Sequence, residues 1–242
     1  MFDHVTIRVT DRTASERFYD TVLATLGIDR TYRTGTFSEW QDFQLTAADD
    51  DKPPTRRLHI GFVAPSREQV DEFWRVGTEA GYADDGRPGP RPEYGSDYYG
   101  AFLLDPDGNS AEAVDHDSLR RGGAIDHIWV RVADVAASSR FYETVAPYAG
   151  FEARERPDRT QFEGSSGSFS VMTGTPTENL HWAFPTEDDA DVQGFHRAAT
   201  EAGYESNGAP GERPRYHPGY YAAYVLDPDG NNVEVVNHHR PE

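Results

Sequence analysis

At 242 residues the chain is long enough for one large domain or two of ordinary size. It has no cysteine, which excludes disulfides and thiolate ligands, so any metal must be held by nitrogen and oxygen. A net charge of −19 argues against nucleic acid as a partner. No apolar run approaches the ~20 residues of a membrane-crossing helix, and the start lacks the basic-then-apolar pattern of a signal peptide. The expectation is a cytoplasmic, soluble protein, monomer or homodimer, that meets a small molecule and neither nucleic acid nor membrane.

Residues 3–10 alternate as a half-buried strand does, with Val5, Ile7 and Val9 on one face and His4, Thr6 and Arg8 on the other. Thr13 with Glu16 reads as a capping box for a helix carrying Phe18, Tyr19, Val22, Leu23 and Leu26 on one side, closed by Gly27. Polar strands follow over 30–47. Residues 49–54 form a loop, because Pro53 and Pro54 block helix and central strand alike. The pattern restarts at Leu58–Val63, and Ser66 with Gln69 caps a second predicted helix ending near Gly81. Residues 83–96, rich in glycine and proline, are expected to form an irregular loop near the mouth of a site. Tyr98–Leu104 and Ala111–Asp115 pair as a predicted hairpin with Asp105-Pro106-Asp107-Gly108 as its turn. Gly122-Gly123 reads as a linker. The order then repeats: strand 125–132, helix 135–148, polar strands to 172, strand 179–184, helix 187–202, a loop, and a hairpin over 220–237.

The repetition extends to the residues. Phe2-Asp3-His4-Val5 answers Ile125-Asp126-His127-Ile128, Arg17-Phe18-Tyr19 answers Arg140-Phe141-Tyr142, and Leu104-Asp105-Pro106-Asp107-Gly108-Asn109 answers Leu226-Asp227-Pro228-Asp229-Gly230-Asn231. The offset is 123 at the start and 122 at the end, too long a period for a solenoid and suited to two copies of one folding unit. The expected domains are 1–121 and 124–242. Each is built of two strand–helix–strands modules, at about 1–50, 56–117, 124–173 and 178–238.

Within the duplication two further sets match. His4, His59 and Glu112 are separated by 55 and 53 residues, and His127, His181 and Glu234 by 54 and 53. Two imidazoles and one carboxylate can occupy one face of a divalent metal and leave its other positions open. Strand periodicity puts His4, His59 and Glu234 opposite the apolar residues that pack under helices, on a helix-free face where a curved sheet would make a cup.

The strand–helix order, the Asp-His-Val start and the Asp-Pro-Asp-Gly-Asn hairpin with glutamate four residues after glycine resemble the vicinal oxygen chelate superfamily. That group includes glyoxalase I, type I extradiol dioxygenases, fosfomycin-modifying enzymes and bleomycin-resistance proteins. The likeness covers essentially the whole chain. It implies an α+β fold in which four βαβββ modules form two cup-shaped, curved mixed sheets with helices on the outer face. It also implies metal ligands at His4, His59, Glu112, His127, His181 and Glu234. Cups of this family form from consecutive modules or by exchange. The lengths therefore permit either His4, His59 and Glu112 or the crossed set His4, His181 and Glu234.

In extradiol dioxygenases a histidine before the last hairpin and a tyrosine on its first strand assist proton transfer and hold substrate. The resemblance carries these roles to His217 and Tyr224; the aligned Gly95 and Phe102 of the first half cannot shuttle a proton. Ala223 departs from that pattern, where a larger apolar residue is usual. Thr6 fits the fosfomycin-enzyme pattern of a threonine two residues after the first histidine, whereas Trp129 does not. Arg8 and Arg131 could hold an anionic group bidentately, and Trp129 with Tyr224 would give the second cup an aromatic wall. The leading expectation is an Fe(II)-dependent, extradiol-type dioxygenase acting on a catechol-like or vicinal-oxygen substrate, with the second half better equipped. The alternatives are a lyase, isomerase or thiol transferase using Mn, Zn, Ni or Co, and a natural-product binding protein without turnover.

Overall fold

The computed structural model describes residues 1–117 and 122–239; the expected ends of the two repeats, 121 and 242, lie outside them. Four βαβββ copies follow one another. The first copy is β1 (His4–Val9), α1 (Arg12–Leu23), β2 (Tyr32–Arg33), β3 (Phe37–Trp40) and β4 (Phe43–Ala47). The second is β5 (His59–Val63), α2 (Arg67–Glu79), β6 (Ala83–Pro90), β7 (Tyr99–Leu104) and β8 (Ser110–Asp115). The third is β9 (Ile125–Val132), α3 (Val135–Ala149), β10 (Phe151–Glu155), β11 (Arg159–Gly164) and β12 (Gly167–Thr173). The fourth is β13 (His181–Pro185), α4 (Asp189–Glu201), β14 (Ser206–Glu212), β15 (Tyr221–Leu226) and β16 (Asn232–Asn237). This is the expected α+β architecture.

The strands form two eight-stranded mixed sheets, ordered β14-β15-β16-β13-β1-β4-β3-β2 and β10-β11-β12-β9-β5-β8-β7-β6. The pairs β5–β8 and β13–β16 run parallel, whereas the hairpins β7–β8 and β15–β16 run antiparallel. Modules therefore share sheets by exchange, first with fourth and second with third. The choice the sequence leaves open falls on the crossed arrangement.

Contacts divide the chain into two units, Thr6–Trp129 and Met1–Val5 with Val130–Glu242. Along β1, Val5, Ile7 and Val9 alternate as buried residues against half-buried His4, Thr6 and Arg8. The core of the first unit centres on Tyr19, whose ring packs 4.6 Å from Phe43, 6.0 Å from Trp40 and 6.2 Å from Phe62. In the second, Tyr142 takes the same place, 4.9 Å from Phe169, 5.4 Å from Phe162 and 5.7 Å from Trp182. Such buried aromatic clusters contribute about 0.5–1.5 kcal/mol per ring pair beyond the area they bury.

Each central tyrosine also has a buried polar task. Tyr19 Oη donates to Asp105 at 3.0 Å and Tyr142 Oη to Asp227 at 2.8 Å. Asp105 in turn accepts the amides of Asp107 and Asn109, and Asn109 accepts the amide of Leu58 at 3.1 Å. Gly108 supplies the left-handed backbone (φ 82°) that closes this turn. The Asp-Pro-Asp-Gly-Asn motif thus locks the β7–β8 turn to the start of β5, fixing the phase that brings Glu112 level with Gly61.

Three local expectations are corrected. The cap of α1 is Asp11, whose side chain accepts the Ala14 amide at 3.0 Å; Thr13 lies inside the helix. Aspartate caps as well as threonine, and Glu16 instead lies buried against Arg12, Arg33 and Ser38. Likewise Ser66 makes no side-chain cap bond, and Gln69 donates to the Thr25 carbonyl. Residues 83–90 are strand β6, an edge strand paired with β7 through two register shifts. Proline and glycine are tolerated at edges and bulges, which is why the composition misleads.

Candidate metal centres

The strand exchange gathers the six candidate ligands into two clusters, His4–His181–Glu234 and His59–Glu112–His127, each with donor atoms within 4.8 Å of one another. In the first, His4 Nε2 lies 3.1 Å from His181 Nε2, and Glu234 Oε2 lies 3.6 and 3.1 Å from those atoms. In the second, His59 Nε2 lies 2.9 Å from Glu112 Oε2 and 3.3 Å from His127 Nε2, and the third edge is 3.3 Å. An ion with bonds of about 2.1 Å to nitrogen and oxygen, taken at about 90–109° to each other, spans ligand separations of about 3.0–3.4 Å. Four of the six edges fall in that range, and the other two, 3.6 Å for His4–Glu234 and 2.9 Å for His59–Glu112, lie close to it.

Each candidate ligand has an outer partner, and several of the partners are duplicated too. His4 Nδ1 lies 2.8 Å from Asp3 Oδ1, and Asp3 Oδ2 lies 2.8 Å from His238 Nε2. His127 Nδ1 lies 2.9 Å from Asp126 Oδ2, which also meets His116 Nε2 at 3.2 Å. Tyr220 Oη donates to Glu234 Oε1 at 2.6 Å, and Tyr98 Oη to Glu112 Oε1 at 2.8 Å. The partners of His59 and His181 at Nδ1 are Ser110 and Asn232. Spacing and strand period assign none of these roles. The signal was available, because Asp3 and Asp126, Tyr98 and Tyr220, and His116 and His238 recur at the repeat offset.

The electrostatics suit a cation. Glu112 and Glu234 are each only 1 % exposed. Burial alone would raise Glu112, but hydrogen bonds from His127 and His59 outweigh it and hold the carboxyl at about 2. Burial alone would lower His127, but Asp126 and Glu112 raise it to about 9. A proton on His127 therefore balances the buried carboxylate when no metal does. Glu234 is held below its ordinary value in the same way, against its burial, by His181 and His4. Burial and the adjacent glutamates push Tyr98 and Tyr220 far above the usual phenol range, so both remain donors.

The walls differ. Beside His181, Tyr224 is buried and its hydroxyl, turned toward Glu234, makes no regular hydrogen bond among the described residues; burial and the nearby Glu234 carboxylate raise its pKa strongly. Ala183, Ala222, Tyr220 and Val236 complete that apolar surround. The other cluster is faced by Trp129, whose ring lies 5.3 Å from His59 and 5.0 Å from Tyr94, and by Phe102 at 5.8 Å from His59. The expectation that Trp129 and Tyr224 share one wall is therefore wrong. Exchange sends Trp129 with His127 to one cluster and Tyr224 with His181 to the other.

His217 stands outside the triangle. Its Nδ1 meets the Pro218 carbonyl, its Nε2 meets His238 Nδ1 at 2.8 Å, and it connects to His4 through His238 and Asp3. Thr6, two residues beyond His4 on β1, donates to Gln44 at 3.1 Å. Arg8 and Arg131 lie four residues beyond their histidines, about 13 Å along a strand rising about 3.3 Å per residue. Arg131 is exposed, with its stem laid over Gly174. Two clefts of about 730 and 650 Å³ border α3 and contain none of the candidate ligands.

The fold has solved counterparts. Structures similar to the chain include glyoxalase I from Zea mays, 19% identical over 98% of this chain and 92% of that one, with a TM-score of 0.70. A mutant form of the same maize enzyme is 18% identical, covers 98% and 93%, and has a TM-score of 0.73. A candidate dioxygenase from Bacillus subtilis subsp. subtilis str. 168 is 14% identical over 99% and 85%, at a TM-score of 0.67. At such identities the likeness is one of fold. No curated protein matches the chain in sequence. The model of the Glyoxalase/Bleomycin resistance protein/Dioxygenase superfamily matches twice, at residues 1–113 and 124–235, and the chain belongs to that superfamily.

Proposed function

We propose that this protein is a metal-dependent enzyme, most like an extradiol-type dioxygenase acting on a small catechol-like or vicinal-oxygen substrate. The observation that carries the reading is the donor triangle of two imidazole nitrogens and one buried carboxylate oxygen, present twice. His4, His181 and Glu234 would hold one divalent ion, and His59, His127 and Glu112 the other. Fe(II) is favoured, because two histidines and one carboxylate on one face suit non-haem iron. When bound, the metal supplies Lewis acidity toward a vicinal pair of substrate oxygens and, as Fe(II), a position for dioxygen.

The chain's own residues define the rest. Tyr224, a buried phenol whose burial keeps it protonated, would donate its hydroxyl to a substrate oxygen at the His4–His181–Glu234 site. His217 would act on that site at one remove, by holding His238 behind Asp3 and His4. Trp129 stacks a planar ligand at the other site. Arg8 and Arg131 would meet an anionic substituent of the substrate that points away from the metal. Anaerobic reconstitution with Fe(II), then oxygen uptake with a catechol panel, tests the reading. No oxygen consumption and no ring-fission colour across the panel would remove it.

A second reading, a non-redox thiol transferase, lyase or isomerase using Mn, Zn, Ni or Co, is favoured by Thr6, whose hydroxyl stands two residues from His4 on the same strand face. Turnover that survives strict exclusion of oxygen would select it. Capture of a natural product by metal-free protein without turnover would select a binding role instead.

A further inference from the structure

Both donor triangles are braced by the same outer arrangement, and the brace acts on two different atoms. On the histidine side, a carboxylate accepts at Nδ1: Asp3 for His4 at 2.8 Å and Asp126 for His127 at 2.9 Å. A carboxylate can only accept there, so each imidazole keeps a hydrogen on Nδ1 and leaves Nε2 as the atom whose lone pair can turn inward to an ion. Each aspartate is held from behind by a second histidine, His238 or His116. On the glutamate side, a phenol donates to Oε1: Tyr220 to Glu234 at 2.6 Å and Tyr98 to Glu112 at 2.8 Å. Only Oε2 then faces the imidazoles. The two sides are joined, because Tyr98 stacks on His116 at 5.5 Å and Tyr220 meets His238 edge-on at 5.0 Å.

We propose that Asp126, His116 and Tyr98, and their counterparts Asp3, His238 and Tyr220, are positioning residues that make each first-strand histidine bind through Nε2 and each glutamate through one oxygen alone. The inference rests on the metal-binding reading above and goes beyond it, since it assigns denticity and tautomer to residues that touch no metal. One-oxygen binding limits the protein to three ligand atoms per ion, which keeps the remaining positions open for a chelating substrate. The arrangement differs from a passive structural bond. A merely structural phenol would leave the spectrum of a bound ion unchanged when removed.

Co(II) titration of the full chain, followed by its visible absorption, tests this. The wild type is expected to take two equivalents with matching spectra. Asp126→Asn removes the accepting charge and is expected to weaken one equivalent by about 10- to 100-fold while the other stays at wild-type affinity, an internal control for folding. Tyr98→Phe keeps the stack on His116 and frees Glu112 Oε1. It is expected to change the Co(II) band intensity of that same equivalent, as a second carboxylate oxygen enters. Should Asp126→Asn fail to fold, Tyr98→Phe decides alone. Wild-type spectra and affinities for both variants would overturn the positioning role and leave metal binding intact. Uptake of no Co(II) by the wild type would overturn both.

Discussion

Gly61 seats His127 by what it lacks. It lies on β5 between Glu112 on one neighbouring strand and His127 on the other. A Cβ built there would stand 2.4 Å from His127 Cε1 and 2.6 Å from Nδ1. Carbon atoms in contact sit about 3.5–4.0 Å apart, so Gly61→Ala requires the ring to retreat by about 1 Å or more. The ring has little freedom to do so. Nδ1 is tied to Asp126 at 2.9 Å, and Nε2 faces Glu112 at 3.3 Å. Overpacking of this kind costs about 1–3 kcal/mol. Placed on the bound geometry, that is a loss of about 5- to 150-fold in affinity for one ion. The corresponding residue, Ala183 opposite Glu234, already carries a Cβ, so Ala183→Gly should leave the other site near wild type. Metal titration with Mn(II) or Co(II) reads the outcome: one equivalent weakened in Gly61→Ala, none in Ala183→Gly. Two equivalents of wild-type affinity in Gly61→Ala would refute the reasoning, because the ring would then have room that the structure denies it.

Other outcomes follow from the same geometry. Since His127 is raised to about 9, its proton must leave before Nε2 can bind, and affinity at that site should climb by up to about tenfold per pH unit between about 7 and 9, then level. Calorimetry in buffers of different ionisation enthalpy would detect the released proton. In chelator-treated protein the same group stabilises the fold fully below its unfolded value of 6.5, and that contribution is lost as pH rises through about 9. A urea midpoint that does not fall between pH 6 and 10 would contradict it. Asp42, raised to about 6 by burial despite accepting the amides of Ala124 and Ile125, favours the fold most when protonated. Asp42→Asn keeps an acceptor without the charge and should stabilise by about 1–3 kcal/mol at pH 8, the gain shrinking as pH falls through 6 toward 4. Tyr224→Phe removes a buried hydroxyl that makes no regular hydrogen bond among the described residues and should shift unfolding by less than about 1 kcal/mol, whereas Tyr220→Phe loses a bond to a buried carboxylate, costing about 1.5–3 kcal/mol. Thermal melts of the two variants provide the comparison.

The architecture was legible because duplication and strand period are written in local residues. His4 against Val5, and Glu234 against Val233 and Val235, reveal their faces by alternation alone. Module pairing was not legible, since strand exchange depends on which edge β1 and β9 find, and no local residue encodes that. This is why Trp129 and Tyr224 were credited to one wall. The edge strand β6 was hidden by Pro88 and Pro90, whose composition reads as loop unless the edge position is known. The cap at Asp11 lost to Thr13 because both residue types cap helices and a two-residue shift lies within ordinary boundary error. The outer partners were the reverse case: Asp126, His116 and Tyr98 recur in the repeat, but their task depends on distances that spacing does not contain.

Strand exchange binds the two copies to a common inheritance. A fragment ending before residue 122 carries His59 and Glu112 but not His127; one starting at 124 carries His181 and Glu234 but not His4. Severed halves should each be metal-poor, and mixing them should restore binding by complementation. On the proposed reading, deletion of a whole copy would leave neither cluster complete. If the clusters hold metal as proposed, decay of a ligand in either copy would disable a centre that the other copy helps to build.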